Sequence, residues 1–107
     1  MTDLDPAIQA LFDATNAGDS AAFVAAFADD AVLIDWGREF HGHAEIARWN
    51  DNENVGVQSQ IAVTGFEQSA SGSIVVGVQV SGNGYNGGGS FEFDVAGGKL
   101  TRMQIRG

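Results

Sequence analysis

The hydrophobic pattern changes period near the middle of the chain. Between Pro6 and Ala17, the inward-type positions Ile8, Leu11, Phe12 and Thr15 recur at spacings of three and four, which predicts an amphipathic helix. Asp5 stands where an N-cap carboxylate meets the first free amides, and Pro6 suits the first helical position because its missing N–H costs nothing there. Asn16-Ala17-Gly18-Asp19 reads as a stop and a restart, with Gly18 in the left-handed position after a helix and Asp19 or Ser20 capping the next. That second helix, from Ala21 to about Phe27, buries Phe23, Val24 and Phe27. Ala31 to Asp35 is a short strand-prone run, and a turn is expected at Trp36–Glu39. A third helix is expected over 43–52 with Ile46, Trp49 and Asn50 on one face.

After Val55 the period falls to two. Alternation in Ile74, Val76, Val78 and Val80, and again in Phe91, Phe93 and Val95, predicts strands over 57–66, 73–80, 90–95 and 99–105. The breaks at 68–72, 81–89 and 96–98 are rich in Gly, Ser and Asn, the residues of turns. Helices followed by an antiparallel meander give an α+β domain with its helices on one sheet face. A chain of 107 residues has room for one core, so residues 1–107 are read as a single domain. An outer sheet face expected to be apolar would need cover, which predicts a homodimer through the sheet.

Charge narrows the partners. Asp and Glu number 14 against 5 Lys and Arg, a net charge of −9 that repels phosphate backbones and anionic membranes alike. With no cysteine there is no disulfide and no thiolate metal site. The start Met1-Thr2-Asp3-Leu4-Asp5-Pro6 lacks the basic and apolar regions of a signal peptide, and no apolar run reaches membrane-spanning length, so the cytoplasm is the expected location.

Asn16-Ala17-Gly18-Asp19, then Phe27-Ala28-Asp29-Asp30-Ala31-Val32, then Gly42 followed by Ile46, resembles the nuclear transport factor two-like superfamily, in its ketosteroid isomerase and SnoaL-like branch. The resemblance implies a cone-shaped α+β barrel: three N-terminal helices packed on a strongly curved antiparallel sheet, commonly dimeric. It also implies a function class no narrower than small-molecule isomerases, cyclases, dehydratases and non-catalytic binding or association modules, since this fold hosts all of them. In the isomerases the general base follows the first short strand, and Asp35 falls on that position. Their tyrosine and aspartic acid oxyanion donors would fall on Leu11 and on Gly89-Ser90, so that part of the machinery does not carry over.

Asp35 is the candidate acid–base residue, because a carboxylate on an apolar floor is a better proton shuttle than one in water. His41 is its candidate partner, as a carboxylate beside an imidazole fixes the tautomer. Phe12, Trp36, Phe40, Trp49, Asn50, Tyr85 and Phe91 are the candidate substrate-binding residues: flat apolar walls, one amide for a carbonyl, and Tyr85 as a lid over the cone mouth. Against this stands plain core packing for the aromatics and a solvent-facing Asn50. His41 and His43 flank Gly42 with Asp35 and Glu39 near, yet this spacing is a weak metal signature, and no metal or cofactor is called. Arg38 with Glu39 and Glu45 with Arg48 read as surface pairs. Gly82-Asn83-Gly84-Tyr85-Asn86-Gly87 matches a dinucleotide fingerprint in letters only, because a strand and not a helix follows; a flexible hairpin loop is the reading. Two functions stay open: acid–base chemistry on a small hydrophobic carbonyl compound, and ligand capture or association without catalysis.

Overall fold

A computed structural model of the chain describes residues 4–69 and 72–106. Residues 1–3 of the acidic start, and Ala70 and Ser71 of the expected turn, lie outside the described residues. The elements are α1 (Pro6–Ala17), α2 (Ser20–Ala25), β1 (Phe27–Asp35), β2 (Arg38–His41), α3 (Gly42–Glu53), a single 3-10 turn (Val55–Val57), β3 (Gln60–Gln68), β4 (Ile74–Ser81), β5 (Gly87–Ala96) and β6 (Lys99–Arg106).

The helix caps work as read, although α2 stops at Ala25 with only Phe23 fully buried, and Phe27 opens a strand instead of closing the helix. The Asp5 carboxylate accepts the Ala7 amide at 2.9 Å, Gly18 takes φ +72°, and the Asp19 carboxylate accepts the Ala22 amide at 3.0 Å. Ile8, Leu11, Phe12 and Thr15 are all buried. The Asn16 side chain then ties α1 to the sheet: its amide donates to the Ile61 carbonyl at 2.9 Å and accepts the Ile61 N–H at 2.7 Å. A side-chain amide thereby does what a neighbouring strand would do.

The six strands form one open sheet in the order β2-β1-β6-β5-β4-β3. It is mixed rather than antiparallel throughout, because β1 runs parallel to β6 while every other pair is antiparallel. The first strand is nine residues long, beginning at Phe27, with a register shift between Phe27 and Val32 where the exposed Asp29 and Asp30 bulge out. Trp36-Gly37, at φ +52° and +84°, is the two-residue turn of a hairpin, so Arg38–His41 is a strand and not part of a turn. Period-two alternation was not visible there because this four-residue edge strand buries nothing fully.

The core lies between α1, α2, α3 and the inner sheet face. Phe12 meets Phe91 at 6.1 Å and Phe93 edge-on at 6.0 Å, and Phe23 stacks on Trp49 at 6.0 Å. The outer face departs from expectation. In place of an apolar surface it carries an ionic network: Arg102 reaches Glu92 at 2.8 Å and Asp94 at 2.7 Å, Arg106 reaches Glu92 at 2.7 Å, and Ser73 donates to Asp94. The Arg102 guanidinium holds the Asp94 and Glu92 carboxyls below their ordinary range. No helix among the described residues is long and apolar enough to cross a membrane.

Candidate functional site

The end of β1 opens onto a cavity of about 250 Å³. Its floor is the inner sheet face at Ile61, Val78, Val80, Phe91 and Ile105. Its sides are α3 and the 3-10 turn, through Trp49, Asn54, Val57 and Ser59, and its rim holds Trp36, Arg38, Glu53, Tyr85 and Arg106.

Asp35 is buried on this wall, at 7% exposure. Two donors converge on the same carboxylate oxygen: the Trp49 indole N–H at 3.0 Å and Arg38 Nη2 at 2.5 Å. The other oxygen, Oδ1, has no partner among the described residues, and it is not one of the side-chain atoms sealed off without one. The arrangement therefore fixes the carboxylate by one oxygen and leaves the other unpartnered among the described residues, on a residue that lines the cavity. Arg38 is held in turn by Glu53, at 2.7 Å. Glu53 first, and Asp35 second, raise the guanidinium above its ordinary range, so it stays charged.

His41 is not the partner of Asp35. In the β1–β2 hairpin Asp35 faces Arg38 and Val32 faces His41, and side chains alternate between faces, so His41 stands on the opposite face of the sheet from Asp35. Its exposed ring bonds Glu39 at 2.9 Å, which also removes Glu39 from the expected pairing with Arg38. His43 bonds the Phe27 carbonyl at 2.8 Å. Among the described residues no group of three metal-binding side chains occurs. Glu45 accepts the His41 amide at 2.8 Å, capping α3, and forms no ion pair with Arg48 among the described residues.

Trp36, Trp49, Tyr85 and Phe91 line the cavity as expected of cavity residues, whereas Phe12, Phe40 and Asn50 do not. Phe12 is spent in the aromatic core. Phe40 lies under the Arg38 guanidinium, 5.6 Å from ring centre to Cζ. Asn50 faces inward but serves the start of the 3-10 turn: its Oδ1 accepts from Asn54 Nδ2 at 3.0 Å and from the Val55 N–H at 3.5 Å, and its own Nδ2 is buried without a partner among the described residues. The loop behind Tyr85 is built, not slack. The Asn86 side chain accepts the Gly82 N–H and donates to the Gly82 and Gly84 carbonyls, and the Asn83 amide bonds the Val57 carbonyl at 2.9 Å. A side chain at Gly84 would sit 2.9 Å from Val57 Cγ2, and at Gly82, with φ +143°, 2.8 Å from the Gln58 carbonyl oxygen. Glycine here lets the loop lie against the 3-10 turn and close the cavity.

Arg38, Glu53, Asn54 and Ser59 escaped the sequence reading. Arg38 had a usable signal, since a two-residue Trp-Gly turn places it directly across from Asp35. Asn54 and Ser59 had none, because only the 3-10 turn brings them to the wall.

Comparison with known structures finds the same fold. A protein from Sinorhizobium meliloti, provisionally named a polyketide cyclase, superposes with a TM-score of 0.83 at 25% identity, covering 97% of this chain and 96% of that one. The Δ5-3-ketosteroid isomerase from a Mycobacterium species gives 0.80 at 20% identity, covering 94% and 89%. A Mycobacterium tuberculosis protein solved with estradiol-17β-hemisuccinate gives 0.80 at 20%, covering 92% and 88%. No curated protein matches the sequence. The SnoaL-like domain family matches residues 8–103, nearly the whole of the helices, sheet and cavity described above, and it is to this family that the chain belongs.

Proposed function

We propose that the protein binds a small, mostly apolar molecule in the cavity beside Asp35 and moves a proton on it, as an isomerase, cyclase or dehydratase would. One observation carries this reading: a buried carboxylate on the cavity wall whose two donors share one oxygen, leaving the other without a partner among the described residues. Pockets for drug-sized ligands run from about 300 Å³ upward. The cavity here lies just below that range, so a one- or two-ring compound suits it better than a larger one. Asp35 Oδ1 is the base for a C–H next to a carbonyl. The proton goes to that oxygen and returns to the product carbon, with Arg38 as the nearest positive charge for the developing enolate.

A second reading, capture without chemistry, has its own support. Leu11 is fully buried in the core and Gly89 offers the cavity only backbone, so neither of the family's neutral oxyanion donors stands opposite Asp35. Exchange of the α-protons of 2-tetralone into D2O, followed by proton NMR, separates the two. Asp35 as base predicts exchange above the buffer rate, falling on the order of 10²–10⁴-fold in Asp35→Asn. Binding of the ketone with exchange at the buffer rate assigns the protein to capture. Homodimerisation through the sheet and a cytoplasmic location belong to the same proposal. The first rests on the family resemblance, since the outer face is ionic, and light scattering tests it.

A further inference from the structure

The cavity has a second polar end, on the side of the 3-10 turn. Asn54 closes that turn: its carbonyl accepts the Val57 N–H at 3.2 Å and the Ser59 N–H at 3.1 Å, which joins Asn54 and Ser59 through their backbones, and both residues line the cavity. Gln58 between them takes φ +57°, a left-handed conformation that reverses the chain there. The Asn54 amide is fixed from behind. Both its N–H bonds are used, one to Thr15 Oγ1 at 3.1 Å and one to Asn50 Oδ1 at 3.0 Å, and Thr15 is itself anchored on the Leu11 carbonyl at 3.0 Å.

What remains on Asn54 is Oδ1, an acceptor with no partner among the described residues. Ser59 Oγ likewise has none. Asn54 is 5% exposed and Ser59 3%, yet among the described residues the one side-chain polar atom sealed without a partner is Asn50 Nδ2. Asn54 Oδ1 and Ser59 Oγ are therefore reached by open space, and the space these two residues border is the cavity. An acceptor and a hydroxyl that open onto a cavity without a protein partner are free to bind a complementary group there.

We propose that Asn54 and Ser59 form a hydroxyl-binding pole: the ligand is an alcohol or phenol whose O–H donates to Asn54 Oδ1 while its oxygen accepts from the Ser59 hydroxyl. Because both Asn54 protons are committed, a carbonyl oxygen finds only one donor there, whereas a hydroxyl satisfies both groups. This deepens the reading of the cavity as a small-molecule site and rests on it. The ligand is then two-headed, with an apolar body between the hydroxyl and the group that meets Asp35.

Isothermal titration calorimetry with 2-naphthol and its methyl ether, 2-methoxynaphthalene, tests the pole on the full chain and on Ser59→Ala. The expected result is naphthol binding about three- to tenfold tighter than the ether, because only its O–H donates to Asn54 Oδ1, with both probes weakened about three- to tenfold in Ser59→Ala, because the oxygen of either accepts from the Ser59 hydroxyl. Naphthalene, which has no oxygen, should bind parent and variant alike, which shows that the variant's cavity is intact. Equal affinity for naphthol and the ether, or naphthol affinity untouched by Ser59→Ala, overturns the pole and leaves the cavity reading standing. If neither probe binds, the cavity reading fails and the pole fails with it.

Discussion

Two arginine-centred clusters occupy opposite faces of one sheet, and their hydrogen bonds are distributed differently. On the outer face Glu92 receives Arg102 on one oxygen and Arg106 on the other, and Asp94 receives Ser73 on one and Arg102 on the other. On the cavity face Asp35 takes both of its donors on a single oxygen. The carboxylates of the first cluster are saturated and those bonds go into holding β5 to β6. Asp35 is held as firmly but keeps an acceptor in reserve. Spare bonding capacity on a rigidly held group, more than charge or burial alone, is what separates a candidate site from a structural ion network.

The largest expected break in this symmetry is chemical. Asp35→Asn should abolish proton exchange on 2-tetralone while Glu92→Gln leaves it untouched, and equal effects in the two variants would dissolve the distinction. Trp49→Phe comes next. It preserves the stacking on Phe23 but strips one donor from a buried carboxylate, and should cost about 1–3 kcal/mol of stability in urea unfolding.

Arg102→Gln should cost about 1 kcal/mol, since Glu92 keeps Arg106 and Asp94 keeps Ser73. Its signature is the acid limb. Glu92 and Asp94 titrate below their ordinary values of 4.5 and 3.8 in the folded chain, so the unfolded chain binds protons first as pH falls. Their stabilisation is complete above that range and is lost as pH drops through the lowered values. The variant's melting temperature should therefore fall less steeply below about pH 4.5 than the parent's. A parallel acid limb would show that the network does not set it. The smallest effect expected is Trp36→Asn. Asn-Gly suits a turn with positive φ at both central residues better than Trp-Gly does, so stability should rise by about 0.4–1 kcal/mol while probe affinity drops. Unchanged affinity would remove Trp36 from the binding wall.

The parts of the fold written in local chemistry were legible beforehand. Asp5, Pro6, Gly18 and Asp19 bound α1 and open α2, and alternation from Ile74 to Val95 drew β4 and β5. The parallel seam between β1 and β6 was not legible, because it joins segments some seventy positions apart with no local mark. The same division runs through the site. Asp35 and Trp49 could be named from position and face, but the Arg38–Glu53 bond spans fifteen residues, and His41 was paired with Asp35 because Arg38–His41 was not read as a strand. Once Arg38–His41 is a strand, counting by twos from Asp35 gives the right answer.

The close seating of Gly82 and Gly84 against Gln58 and Val57 bears on how such a cavity changes its contents over time. That wall admits almost no side-chain variation without moving backbone, so it is a poor place for a lineage, or an engineer, to explore new ligands. Ile61, Val78 and Val80 on the floor carry side chains that can be shortened or exchanged while the strands stay paired. New specificities in this chain are therefore most accessible from the sheet upward, with the glycine loop conserved as a fixed boundary.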